Sequence, residues 1–141
     1  MMETVIDAKD LIVGRLATHV AKRALLGDKL TVVNCEQALV TGNREQIIAK
    51  WAERRDIGQH QYGPFISRMP DRMMRRIIRG MLPYKQEKGK KAFGRVKCYI
   101  GVPDEFEKAE KTSLKSAHMS KLSNMRFMRI GELCKNLGGK S

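Results

Sequence analysis

Between Thr4 and Asn34 the apolar residues change period twice. Thr4-Val-Ile-Asp7 is short, β-branched and apolar, as a strand requires. Val13, Leu16, Ala17, Val20, Ala21, Ala24 and Leu25 then recur at the spacing of one helix face, and Gly27 is a natural stop. Leu30-Thr-Val-Val-Asn34 returns to strand composition. A strand, a helix and a strand in about 30 residues make a βαβ unit, which demands a parallel pair joined by a right-handed crossover. That unit restricts the chain to an α/β sheet protein with its helices packed on the sheet.

The remaining pattern extends this scheme. Ala38-Leu-Val40 reads as a very short strand, and Asn43 with Gln46 as a possible capping box. It opens a helix carrying Ile47, Ile48, Trp51 and Ala52 to about Ile57. Residues 58–69 are irregular, broken by Gly63-Pro64 and Pro70. Pro70 and Asp71 then suit the first turn of a helix that stops at Pro83. Tyr84 to Gly94 is a lysine-rich loop or short helix, and Val96-Lys-Cys-Tyr-Ile100 alternates as a strand. From Asp104 to Asn124 apolar periodicity fades into an extended arm or meander. Met125 to Met128 reads as a strand, and Ile130, Leu133, Cys134 and Leu137 as a closing helix. A length of 141 residues fits one domain, with a compact core over about 1–103 and an arm with its closing helix over 104–141.

Charge is the second constraint. There are 28 Lys and Arg against 15 Asp and Glu, a net of +13, which calls for a polyanionic partner. The excess is concentrated: residues 58–101 hold 11 basic and 2 acidic residues. On a helix, Met73, Met74, Ile77, Ile78, Met81 and Leu82 share one face, and Arg72, Arg75, Arg76 and Arg79 the other. Four guanidinium groups on one face repel each other unless an anion lies against them. Arginine rather than lysine suits phosphate, because guanidinium pairs two oxygens and stacks on bases. The run continues through Lys85, Lys88, Lys90, Lys91, Arg95 and Lys97, interrupted by Tyr84 and Phe93. Tyr84 and Phe93 could stack on unpaired bases, although Phe93 fits a core anchor better.

Catalytic signatures fail one by one. Gly138-Gly-Lys-Ser141 resembles the end of a phosphate loop, but Cys134 stands where the first glycine is needed. His19, His60 and His118 are far apart, with His19 either a phosphate contact or a solvated side chain. Asp7 and Asp10 could pair across a turn, but an acid at a strand end more often caps a loop. Cys35, Cys98 and Cys134 stand too far apart for a zinc site and read as reduced thiols. No apolar run approaches the roughly 20 residues of a membrane span. The expectation is a cytoplasmic protein with no cofactor, no metal, no small-molecule substrate and no membrane partner.

In order along the chain, Val5-Ile-Asp-Ala8, Gly14-Arg-Leu-Ala17, Val33-Asn34 and Val40-Thr-Gly42 precede Arg79-Gly-Met-Leu-Pro83. Gly94-Arg95, Lys97 and Tyr99-Ile-Gly101 follow. In this arrangement the chain resembles the universal large-subunit ribosomal protein family L-thirteen, in its archaeal and eukaryotic form. The resemblance implies a three-layer α/β/α domain around a small, mostly parallel four-stranded sheet. It implies a non-enzymatic constituent of the large ribosomal subunit that binds ribosomal RNA, touches neighbouring large-subunit proteins, and supports assembly and translation. An RNA-binding regulator acting on messages outside the ribosome is the alternative. In the family, the Gly-Met-Leu-Pro region and the basic residues around it lie against RNA. Here those are Arg68, Arg72, Arg75, Arg76, Arg79, Lys85 and Arg95, and the adjoining charge run adds Lys88, Lys90 and Lys91. Val102-Pro-Asp-Glu105 replaces the Pro-His-Pro-His tail common in the bacterial form, so no contacts from that tail are carried over. Lys111 to Asn124 is a variable stretch in such proteins.

Overall fold

The computed structural model describes residues 3–59, 61–63, 65–123 and 126–139. Pro64, His60, Met125 and the Lys140-Ser141 end of the phosphate-loop-like tail lie outside the described residues. Strand β1 (Glu3–Asp7), helix α1 (Val13–Leu25) and strand β2 (Lys29–Val33) form the βαβ unit within a residue or so of the expected limits. There follow β3 (Leu39–Thr41), α2 (Arg44–Asp56), α3 (Pro70–Gly80), α4 (Glu87–Gly94) and β4 (Val96–Cys98). β5 (Lys111–Thr112), β6 (Phe127–Arg129) and α5 (Ile130–Asn136) complete the chain.

The main sheet has the order β4-β2-β1-β5 with every neighbouring pair parallel. Its two inner strands are buried on both faces, and Leu30, Thr31, Val32 and Val33 are enclosed in succession. The edge strand β4 alternates instead, with Lys97 exposed between Val96 and Cys98. From β1 to β2 and from β2 to β4 the chain steps in one direction across the sheet. Right-handed crossovers therefore place the intervening helices on one face, and α1 does pack against both α3 and α4. The step from β4 back to β5 runs the opposite way, so residues 99–110 cross the other face. There Phe106 meets Tyr99 at 5.8 Å between ring centroids.

Three details depart from the sequence reading. Val40 lies in a strand, but β3 leaves the main sheet and pairs antiparallel with β6, Val40 opposite Met128. Asn43 caps α2, but through a bond accepted from the Glu45 N–H at 3.1 Å, not by reciprocal pairing with Gln46. The stretch after Asp104 also returns to the body of the protein: β5 is an edge strand of the main sheet, and Ala117 is buried. A two-residue strand is too short to show a period, so nothing in the local pattern marks it.

One apolar cluster runs from Ile6 through Leu16, Val20, Leu30, Met73, Met74 and Ile78 to Leu133 and Leu137. The lysine-rich stretch after Pro83 is helical from Glu87, and its Gly89 is packed against the preceding turn. A Cβ built at Gly89 would stand 1.9 Å from the Pro83 carbonyl oxygen. Since that obstacle is backbone, Gly89→Ala is expected to displace α4 and to destabilise the protein by at least about 1–3 kcal/mol. Urea unfolding of the variant beside the parent measures this.

All three cysteines are buried free thiols. A hydrogen bond with Cys98, then burial, raises the Cys35 thiol far above its ordinary range. Burial first, and then the nearby Asp71, push Cys134 up to about 11. Alkylation in mildly alkaline buffer is therefore expected to be slow for the folded chain and rapid at all three sites in denaturant, read by mass spectrometry.

Candidate nucleic-acid interface

Helix α3 begins with Pro70 at its first turn and Asp71 beside its positive end. Pro70, Met73, Met74 and Ile78 are buried against the body, and Arg72 and Arg76 project into solvent. Two residues assigned to the apolar face do not belong fully to it. Ile77 is only half-buried, and Met81 is 43 % exposed because the helix has ended by Gly80 and the next turn swings outward. Leu82, on that turn, is buried.

Arg75 and Arg79 are half-buried and stacked. The Arg75 guanidinium lies 4.2 Å from the Phe93 ring centroid, and Arg79 lies 4.8 Å from that of Tyr84. Phe93 is thus neither a pure core anchor nor a free stacking ring: it is half-buried, with an arginine laid over it. Each contact places a guanidinium over a ring and restricts its rotamers. The Nε atoms of Arg75 and Arg79 are shielded from solvent and have no hydrogen-bond partner. Arg72, Arg75, Arg76 and Arg79 line one depression of about 210 Å³ together with Phe65, Ser67 and Phe93. Among the described residues no carboxylate lines it.

The other basic residues divide clearly. Arg23, Arg44, Arg55 and Arg129 are paired with Asp28, Glu132, Asp56 and Asp10. Among the described residues none of the four α3 arginines has an acidic partner. Lys85, Lys88 and Lys90 are exposed. Lys91 is exposed as well but pairs with Glu87 one turn back at 3.1 Å. Arg95 is committed to the fold: its Nη1 donates to the Ala24 carbonyl at 2.8 Å, at the C-terminus of α1. Arg68 does not line the α3 depression, and its side chain runs beside Gly138. It also adds positive charge near Asp56, whose carboxyl is lowered chiefly by its hydrogen bond from Arg55. Burial, and then Arg23 and Lys22, lower the His19 imidazole, so it is more readily neutral than a free histidine.

The carboxylates once open to a catalytic reading are occupied elsewhere. Asp7 accepts hydrogen bonds from the Lys9 N–H and the Asn34 amide, each at 3.0 Å, while Asp10 holds Arg129 at 2.8 Å. Among the described residues no group of three or more His, Cys, Asp or Glu is placed to hold a metal ion. No described helix is long and apolar enough to cross a membrane. Sequence reasoning missed Phe65, which lies in an irregular stretch without periodicity yet is 74 % exposed at the rim of the arginine depression. Its only signal is an unpatterned aromatic residue close to the basic run.

Residues 1–105 match the family described as Ribosomal protein L13. The chain is 43 % identical over 137 residues to the large ribosomal subunit protein uL13 of Methanococcoides burtonii, covering 97 % of this chain and 99 % of that one. It is also 43 % identical to the uL13 of Methanocaldococcus jannaschii, with 97 % and 98 % covered. To that of Haloarcula marismortui the identity is 42 %, over 96 % and 91 %. With residues 1–105 matching the family and relatives matching almost end to end, the chain belongs to the ribosomal protein L13 family.

Proposed function

We propose that the protein docks on ribosomal RNA through the arginine face of α3. Arg72, Arg75, Arg76 and Arg79 form the centre of the footprint, and Lys85, Lys88, Lys90 and Lys91 extend it. Family membership makes the chain a structural constituent of the large subunit of the cytoplasmic ribosome, associated with ribosomal RNA, and not an enzyme. The observation that carries the assignment of this face is the separation among the arginines. Arg23, Arg44, Arg55 and Arg129 meet carboxylates, whereas among the described residues none of the α3 set does. Arg75 and Arg79 lie over rings, Arg75 also donating to the Phe93 carbonyl at 3.5 Å, and Arg72 and Arg76 face solvent. A charge array left uncompensated by its own fold is stabilised when phosphates arrive and counterions leave. Arg68 and Arg95 contribute at the margin, Arg95 with the guanidinium nitrogens not engaged at Ala24. Other large-subunit proteins are its neighbours in this reading, and the 75 % exposed Leu26 at the end of α1 offers them an apolar contact.

The full chain is expected to co-sediment with large subunits through moderate salt washes and to protect ribosomal RNA from cleavage near crosslinks formed by α3. A chain confined to the post-ribosomal supernatant, or crosslinks leading only from other surfaces, would overturn the assignment.

A further inference from the structure

We infer that the depression on α3 is a slot for a single unpaired nucleotide of RNA, whose base lies on Phe65 while Arg72 and Arg76 hold the phosphates around it. This rests on the reading of the arginine face as an RNA contact and adds which form of RNA that face accepts.

Phosphate binding alone does not explain the residues present. A cationic helix face would serve a duplex backbone without aromatic help, because in A-form RNA the bases are stacked on one another and show the protein edges but not faces. Yet Phe65 is 74 % exposed at the rim of the depression, an apolar cost to the free protein with no return from a phosphate. An aromatic ring in a basic groove does find a partner when a base leaves its helix, since every base has a flat π-face.

The rest of the depression suits the same ligand. Phe65 and Ser67 come from the irregular segment before α3, the arginines from α3, and Phe93 from α4, so three parts of the chain surround one concavity of about 210 Å³. Arg75 is held over Phe93 and donates to the Phe93 carbonyl at 3.5 Å, and therefore adds a fixed cationic wall rather than a mobile charge. The Ser67 Oγ accepts from the Met69 N–H at 3.3 Å, which leaves its own hydroxyl proton free to be donated to a base edge. Arg72 and Arg76 are one helical turn apart, exposed, and without acidic partners among the described residues, which suits them to the phosphates on either side of one nucleotide.

The test uses the full chain and two RNA hairpins of one sequence, the first carrying a single bulged 2-aminopurine nucleotide and the second fully paired. The bulged hairpin should bind about 10- to 100-fold more tightly, the span expected for one base stacked on an aromatic ring. Its 2-aminopurine emission should fall on binding. Phe65→Ala should abolish the preference while leaving the salt slope unchanged, and Phe65→Trp should retain it. Equal affinity for the two hairpins, or a preference that survives Phe65→Ala, would overturn the slot and leave the arginine face standing as a backbone contact. If Arg72/Arg76→Ala leaves the affinity and salt slope of both hairpins unchanged, the reading of the arginine face falls, and the slot with it.

Discussion

Replacing Arg72, Arg76 and Arg79 together by alanine is expected to lower the slope of log affinity for RNA against log salt by about two to three, at roughly 0.7–0.9 per phosphate contact. The loss should be similar across RNA sequences, because phosphate contacts carry no base information. Arg72 and Arg76 project into solvent and take part in no hydrogen bond or ion pair among the described residues, so their removal leaves the fold intact. Arg79 also covers Tyr84, so its removal costs some packing. Circular dichroism and thermal melting of the triple variant separate that effect from binding. The comparison variant is Arg23→Ala. That guanidinium is engaged with Asp28 at 2.8 Å, so its loss should change stability more than the salt slope. A triple variant with the parental slope would mean that the face contacts something other than nucleic acid.

The second large effect lies on the opposite side of the same helix. Ile78→Ala is expected to destabilise the protein by about 2–5 kcal/mol, through lost transfer free energy and the cavity left behind. For a chain of this size that lowers the melting temperature by roughly 6–20 °C. Ile78 is fully enclosed, and α3 is packed between α1, β4 and α5, so the vacated volume cannot close by movement of a free surface. Ile77→Ala should cost clearly less, since Ile77 is only half-buried. Equal losses at the two positions, measured by denaturant unfolding, would contradict the burial pattern of α3.

How much of this is legible in the residues varies with the range of the interaction. The limits of α1 and α2 and the start of α3 follow from apolar spacing and from Pro70, Asn43 and Gly27, all of which act within a turn or two of chain, whereas α3 ends at Gly80, before the expected stop at Pro83. The parallel pairing of β1 with β2 follows from the length of the link between them. For Ile77 and Met81 the local pattern does not decide burial. A helical projection gives them the same orientation as Ile78, but which side of that broad face is covered depends on where α1 and α5 lie. β3 is a similar case, because three residues carry no information about whether their partner is β2 or the distant β6. The functional residues divide in the same way. The arginines stood out by composition, whereas Phe65, and the commitment of Arg95 to the end of α1, depend on segments that meet only in the folded chain.

The order of residues determined the βαβ core, the two-sided character of α3 and the concentration of positive charge in the middle of the chain. Each of these is a property of neighbours in sequence: the pitch of a helix, the alternation of a strand, the sum of nearby charges. The tertiary structure decided which cations are free. It placed Glu132 on Arg44, Asp10 on Arg129, a helix end on Arg95 and the Phe93 ring under Arg75, while Arg23, Arg55 and Arg79 find partners close by in sequence. Charge can be counted along a chain, but its availability depends on what lies within a few ångströms once distant segments pack, and that geometry separates the surface offered to RNA from the rest of a basic protein.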